Sequence, residues 1–235
     1  MLAKKLPETN EERLSILQTI IEQEDTDVVE NDKVLSIVEF QELRHFTSTF
    51  ESIDSVFNQA IIDRDKAINL YNELFKNAKL YVSHFIQVLF LTVIRNEFKS
   101  ESLLLYGFPE NNPVMPDLST EEAVLHWGEK LMRGEAERTY RGGIPLYNPA
   151  IAKVKVHYEL FKESIYSLAI YEKNLLRLQN NIEASCKKAE ELIWDIWTKV
   201  EERFSDYSHE AQIIKFRAYK IQFLYRKGIQ LSVFD

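Results

Sequence analysis

Residues 50–92 read FESIDSVFNQAIIDRDKAINLYNELFKNAKLYVSHFIQVLFLT, and the spacing of their apolar residues decides the fold. Counting every third and fourth residue from Phe50 to Thr92 visits 13 positions, and all but Arg64 and Thr92, which makes 11, are apolar or aromatic. Such a period, with about three apolar residues per heptad, is typical of a helix packed in a bundle. We therefore predict a first long helical run over residues 33–100. The pattern leaves open whether this run is one helix or two helices joined by a kink.

A second long run begins after Asn148 and Pro149. Asparagine is a common N-cap, and proline is favoured at the first position of a helix. From Ile151 to Val200 the same count visits 15 positions, and 13 of them are apolar. The pattern predicts a helix that reaches about residue 204, followed by a final helix over residues 209–227.

The residues that break regular structure lie between these two runs. Five of the six glycines fall in residues 107–143, and five of the six prolines fall in residues 109–149. Residues 101–148 are therefore predicted to be an irregular crossover that contains one short helix. Ser119, with Glu122 three residues later, is the predicted capping box of that helix.

The N-terminal part, residues 1–32, is predicted to hold a helix and an acidic linker. The helix spans about Asn10 to Gln23, and Thr9 or Asn10 caps it. Residues 24–32 carry five acids and no base. They lack the glycine and the spaced final glutamate of a calcium-binding EF-hand loop, so we interpret them as a solvated linker.

These elements together predict one all-α domain over residues 1–235. We expect an elongated, mainly antiparallel helical bundle with two very long helices and an irregular crossover rich in proline and glycine. No strand-like alternation of apolar and polar residues competes with the helical period.

Charge and composition narrow the classes of partner. The formal net charge of −8 disfavours nonspecific binding to nucleic acid or to an anionic membrane. Residues 85–94 are the longest apolar run, about half of what a membrane-spanning helix needs, so no membrane insertion is expected. The N-terminus has no apolar segment typical of a signal peptide, and Cys186 is the only cysteine. These features favour a cytoplasmic protein.

The sequence offers little catalytic chemistry. Glu42 and His45 form its only Glu-x-x-His, whereas a carboxylate-bridged metal pair in a helical bundle needs two. No phosphate-binding loop, dinucleotide-binding motif or zinc-protease motif is present. We therefore predict no metal, no cofactor and no catalytic residues, and a non-enzymatic role is favoured over an enzymatic one.

One polar residue interrupts the first apolar stripe. Arg64 occupies a position that the period assigns to the core, and Glu172 does the same on the second long helix. A buried guanidinium is costly unless it is paired, so our hypothesis is that Arg64 forms a buried pair with Glu172 or a neighbouring acid across the bundle. One alternative is that Arg64 extends its charged end to solvent at the rim of the bundle. Another is that the helical phase assigned to this stretch is off by one residue.

The segment before the second long helix is the best candidate for a binding site. Paired glycines let the backbone approach a ligand, and a helix N-terminus favours an anion. The predicted anion site consists of Arg138, Arg141, Gly142, Gly143 and Asn148. The alternative is a tight reversal between two helices, in which Asn148 caps the second helix.

Two classes of function follow from these patterns. The first is a non-enzymatic interaction or scaffold protein, which binds a protein partner or forms a homo-oligomer through exposed apolar stripes, most simply a homodimer. The second is a protein, including an enzyme, that binds a small molecule or anion at the 138–148 loop.

Overall fold

The computed structural model describes residues 3–26 and 33–224, and helices carry its fold. The α-helices are α1 (Asn10–Thr26), α2 (Ile37–Ile94), α3 (Glu121–Tyr140), α4 (Ile151–Arg203) and α5 (His209–Ala218). A 3-10 helix, Ser100–Tyr106, lies between α2 and α3. Two short strands, β1 (Ala3–Lys4) and β2 (Phe223–Leu224), pair antiparallel. The all-α bundle with two very long helices is confirmed, and the first long run is a single helix of 58 residues.

The chain divides into two compact units. Unit 1 comprises residues 1–60 and 175–235, and unit 2 comprises residues 61–174. Helices α2 and α4 each supply residues to both units. The prediction of one domain over residues 1–235 stays a prediction.

Unit 1 has a core of aliphatic and aromatic side chains from α1, the start of α2 and the end of α4. Trp197 is fully buried there, and its indole N–H donates to the backbone oxygen of Tyr219 at 3.0 Å. Phe204 and Tyr219 are fully buried as well. The segment that follows α5 is therefore fixed against the core by a hydrogen bond and by burial of its tyrosine.

The N-terminus of α1 forms as predicted, but its C-terminus does not. The Thr9 hydroxyl accepts from the backbone of Glu12 at 3.1 Å, and the Glu12 carboxylate accepts from the backbone of Thr9 at 3.2 Å, which is a capping box. The helix continues to Thr26, so residues 24–26 are helical rather than linker. The rest of the predicted linker, residues 27–32, lies outside the described residues.

Glu24 corrects the prediction of a solvated acidic linker most directly. Only 2% of Glu24 is exposed. Its carboxylate accepts from the backbone N–H groups of Val34 at 3.2 Å and Leu35 at 3.3 Å, and from the Tyr219 hydroxyl at 2.7 Å. This one side chain therefore connects α1, the segment that leads into α2 and the segment after α5.

Helix α2 covers residues 37–94 of the predicted run 33–100, and three boundaries of other helices also differ from the predicted ones. The cap of α3 is Thr120, not Ser119, because the Thr120 hydroxyl accepts from Ala123 at 3.2 Å while the Ser119 hydroxyl donates to Asp117 at 2.8 Å. Helix α4 begins at Ile151, two residues beyond Pro149. Helix α5 begins at the predicted residue, capped by Ser208, but ends at Ala218 because the chain turns there to bury Tyr219.

A charged pair at the surface of unit 1 makes its stability depend on pH. Glu39 accepts hydrogen bonds from Lys199 at 2.7 Å and from the backbone of Ser36 at 2.8 Å. The bond from Lys199, followed by the bonds from Ser36, lowers the pKa of Glu39 from 4.5 to about 2. The ionised carboxylate is thus favoured in the folded state.

We expect this pair to stabilise the protein above about pH 4.5, and to stop doing so as the pH falls towards about 2. The side chains of Lys199 and Glu39 are 33% and 41% exposed, so screening limits the effect to about 1 kcal/mol or less. Urea unfolding across this pH range should show a smaller acid-induced loss in Lys199→Met than in the natural protein. Parallel pH profiles would contradict this prediction.

Unit 2 has its own core, in which α3 and the 3-10 helix pack on the end of α2 and the start of α4. Phe85, Tyr106, Val124, Leu131 and Phe161 are fully buried in this core. The close approach of the 3-10 helix requires a glycine on α3. A Cβ atom at position 134 would lie 2.6 Å from the ring of Tyr106 and 2.8 Å from the backbone oxygen of Leu105. Gly134 therefore allows Tyr106 to pack directly against α3.

Candidate functional site

Three polar side chains meet inside unit 2. Tyr106 is the last residue of the 3-10 helix, and Glu135 and Arg138 lie one turn apart on α3. Tyr106 is fully buried, and Glu135 and Arg138 are only 1% and 6% exposed. Burial of these polar groups is costly unless each of them forms a hydrogen bond. Their hydrogen bonds therefore determine whether the cluster stabilises the fold.

The three side chains satisfy one another. Arg138 Nη2 donates to Glu135 Oε1 at 2.9 Å, and Arg138 Nε donates to the Tyr106 hydroxyl at 2.8 Å. The Tyr106 hydroxyl donates to Glu135 Oε2. Burial, followed by the hydrogen bond to Glu135, raises the pKa of Tyr106 well above its usual value of 10.0, so the hydroxyl stays protonated as the donor.

The same cluster holds the loop between α3 and α4. Glu135 Oε1 accepts from the backbone N–H of Leu146 at 2.8 Å, and Arg138 Nη2 donates to the backbone oxygen of Ile144 at 2.7 Å. The guanidinium carbon of Arg138 also lies 4.0 Å from the centre of the Phe98 ring, a cation–π contact. The cluster thus joins α3, the 3-10 helix, the loop and the segment after α2.

Four of the five residues predicted as an anion site line one cavity: Arg138, Arg141, Gly142 and Gly143. Arg138 is paired with Glu135, and Arg141, which directly follows α3, is paired with Glu137 at 2.7 Å. Gly142 adopts a left-handed conformation, and Gly143 N–H donates to the backbone oxygen of Arg138 at 3.0 Å. This is the geometry of a tight reversal. The anion site stays a prediction.

Asn148 has a different place from the predicted one. It is exposed and lies in a turn with Pro149, to which it is joined by a cis peptide bond. The first turn of α4 closes later, where the backbone N–H of Lys153 donates to the oxygen of Ala150 at 2.9 Å. Asn148 therefore does not cap α4. Because the helix begins at Ile151, Asn148 does not place a helix N-terminus beside a bound anion.

An open cavity of about 560 Å³ lies beside the loop. Its lining combines apolar side chains, such as Phe98 and Leu105, with the basic residues Lys99, Arg138 and Arg141. Gly142 and Gly143 contribute backbone alone. Two acids, Glu97 and Glu101, complete the charged part of its lining.

The predicted buried pair of Arg64 and Glu172 does not form. Arg64 Nη2 pairs with its neighbour Asp65 at 2.7 Å, and a third of the Arg64 side chain is exposed. Glu172 is exposed on α4. The physical reason is that Arg64 is long enough to reach solvent from a position on the apolar stripe, so it needs no acid across the bundle.

A second concave surface of unit 2, hereafter the α2–α4 groove, lies between the two long helices. It has a volume of about 390 Å³. Its lining includes the apolar side chains of Ala67 and Leu74 and the buried Ser164. Leu70, Leu160 and Tyr171 also line it and are at least 42% exposed. Asp63, Lys66 and Glu163 add charges of both signs to its lining.

The sequence identified neither the residues around the open cavity nor those of the α2–α4 groove in full. The prediction included Arg138 but missed Glu135, Tyr106 and Phe98. The spacing of Glu135 and Arg138, three residues apart on one helix face, was a usable signal of an ion pair. Tyr106 has no such signal, because it reaches the cluster from a different element.

The described residues contain no group of three or more His, Cys, Asp or Glu side chains placed to hold a metal ion. Helix α2 contains a window long and apolar enough to cross a membrane by those two criteria, and 33% of that window is buried within the protein. The absence of membrane insertion stays a prediction.

Comparisons with protein-family models, curated proteins and solved structures found no match to this chain. The open cavity beside the loop and the α2–α4 groove are therefore the features from which a function can be proposed.

Proposed function

We propose that this chain is a non-enzymatic interaction protein, and that its α2–α4 groove binds a helix of a second copy of the same chain. The observation that carries the proposal is the exposure of apolar side chains along this part of the two helices. Leu70 is 53% exposed.

The exposure has a simple physical origin. No residue in 61–77 of α2 is buried, and in 162–174 of α4 only Ser164 is. Among the described residues of unit 2, α3 and the 3-10 helix cover the end of α2 and the start of α4 instead. The large side chains left at least 42% exposed on this stretch are Ile62, Leu70, Leu160, Tyr166, Ile170 and Tyr171. Three of these, Leu70, Leu160 and Tyr171, line the same groove, and exposed apolar side chains gathered at one groove mark a candidate interaction site.

A second copy of the chain suits this surface because the groove and the helix that would occupy it both present apolar side chains. In a twofold pair, the same patch on each chain faces the other, so apolar side chains must meet apolar side chains. In each copy, the exposed residues of α2 and α4 line a groove. The same residues also give each helix an apolar face, which could bind in the groove of the other copy. Asp63 and Lys66, which form an ion pair within one chain at 3.6 Å, place charges of both signs at the edge of the groove.

We expect Leu70→Glu to weaken self-association at least about tenfold, because it would bury a charge without a partner in the interface. Sedimentation velocity over a range of concentrations measures the change. Leu80→Glu is the matched control, since Leu80 is on the same helix and is 60% exposed, but does not line the groove. The control should associate like the natural protein.

Two results would remove the proposal. One is a monomer at every concentration of the natural protein. The other is a dimer that Leu70→Glu and Leu80→Glu weaken equally. A natural protein that is monomeric alone, but binds an amphipathic helix of another protein in a Leu70-dependent way, would assign the groove to a different partner.

A further inference from the structure

Arg138 keeps one nitrogen that the buried cluster does not use. Its Nε and Nη2 make all of the hydrogen bonds that the side chain forms with the described residues. Nη1 makes none of them. It is also not sealed from solvent, because the only buried side-chain nitrogen or oxygen without a partner in the described residues is His157 Nδ1. The free nitrogen belongs to a side chain that lines the open cavity of unit 2.

Gly143 lets the loop backbone pack close to this nitrogen. A Cβ atom at position 143 would lie 2.8 Å from Arg138 Nη1 and 2.8 Å from the Arg138 backbone oxygen. Any larger residue at this position would therefore press on the guanidinium. The guanidinium itself cannot turn away, since Glu135, Tyr106 and the Ile144 backbone hold its other two nitrogens. The result is a rigid, positively charged donor at the cavity wall.

From this arrangement we propose that the cavity binds a small monocarboxylate with an apolar body. A carboxylate oxygen accepts from Arg138 Nη1 in a charge-assisted hydrogen bond, which is stronger than a bond to a neutral oxygen. Lys99, which has no ion-pair partner among the described residues, supplies a second cation near the carboxylate. The apolar body packs on Phe98, Leu105 and Ile144.

The acids at the cavity set the limit on ligand charge. Glu97 and Glu101 line the same cavity and are exposed, so a dianion such as phosphate meets two like charges. A monoanion meets less repulsion, and burial of its apolar part adds affinity that phosphate lacks. This inference is independent of the α2–α4 groove and does not require self-association.

Benzoate is the probe, and its binding is followed by amide chemical shifts of the isotopically labelled protein. We expect saturable shifts at Gly142, Gly143 and Ile144. Benzyl alcohol, which has the ring without the carboxylate, and inorganic phosphate should each bind at least about tenfold more weakly. Ser102→Phe, which fills the cavity without altering the buried cluster, should reduce benzoate affinity by at least about tenfold.

Arg133 on α3 and Arg141, which directly follows α3, provide a matched pair. Arg141 and Arg133 are both exposed and both paired with a glutamate four residues earlier, but only Arg141 lines the cavity. Arg141→Gln should weaken benzoate binding several-fold, and Arg133→Gln should leave it unchanged. Shifts that do not saturate, equal binding of phosphate or benzyl alcohol, or unchanged binding in Ser102→Phe would each overturn the proposal.

Discussion

Replacing Glu135 with alanine is expected to lower the free energy of unfolding by about 3–5 kcal/mol, because the change leaves the buried guanidinium of Arg138 without its counter-charge. It also removes the acceptor of the Leu146 backbone N–H and of the Tyr106 hydroxyl. Urea unfolding followed by circular dichroism measures the loss. Hydrogen exchange should locate it in unit 2, at α3, the 3-10 helix and the loop before α4.

Glu137→Ala is the matched control for this prediction. Glu137 also pairs with an arginine, but its side chain and that of Arg141 are largely exposed. An exposed pair contributes about 0–1 kcal/mol, so the control should unfold close to the natural protein. A loss of stability that is equal for Glu135→Ala and Glu137→Ala would show that the buried cluster does not hold this part of unit 2 together.

Replacing Glu24 with alanine is expected to cost about 3 kcal/mol, because three donors lose their acceptor inside unit 1. Each buried donor left without a partner costs about 1–3 kcal/mol, and the Tyr219 hydroxyl can recover part of its share from water. The donors are the backbone N–H groups of Val34 and Leu35 and the hydroxyl of Tyr219. Urea unfolding measures the loss, and hydrogen exchange should place it at the end of α1 and the start of α2.

Glu22→Ala separates the burial of Glu24 from the general effect of losing an acid on α1. Glu22 is exposed on the same helix, two residues earlier. Its replacement should change the stability by no more than about 0.5 kcal/mol. If Glu24→Ala is as mild as Glu22→Ala, the carboxylate of Glu24 does not connect the three segments.

The helices were predictable because their signal is local and repeated. An apolar residue at nearly every third or fourth position from Phe50 onwards is visible without knowledge of what packs on it, and α2 is one helix across the whole of that pattern. Glycine and proline marked the crossover for the same local reason. Helix caps were predictable only to within a few residues, because Ser119 and Thr120 both carry a suitable hydroxyl and only their neighbours decide between them.

The buried acids were not predictable in this way. Glu24 is one of five acids in residues 24–32, and nothing nearby in the sequence distinguishes it from the other four. Its partners include Tyr219, which is 195 residues away in the chain. The Glu135 cluster likewise depends on Tyr106, 29 residues earlier. Burial of a charge is a property of the packed units, so periodicity within one helix cannot reveal it.

The helical period also assigned to the core some positions that are not buried. Arg64 and Glu172 fall on apolar stripes, yet they belong to the part of α2 and α4 that other described elements of unit 2 leave uncovered. The same lack of cover leaves Leu70 and Tyr171 exposed. The failed prediction of a buried pair and the proposed α2–α4 groove therefore have one physical cause.

The central claim, that two copies meet at the α2–α4 groove, is tested most directly by distance measurements between spin labels on different chains. A label attached at Ser167→Cys, with Cys186→Ala to remove the only native thiol, lies in the groove. We predict a dipolar coupling between chains that disappears on dilution with excess unlabelled protein. Absence of this coupling, at concentrations where sedimentation shows a dimer, would contradict the claim.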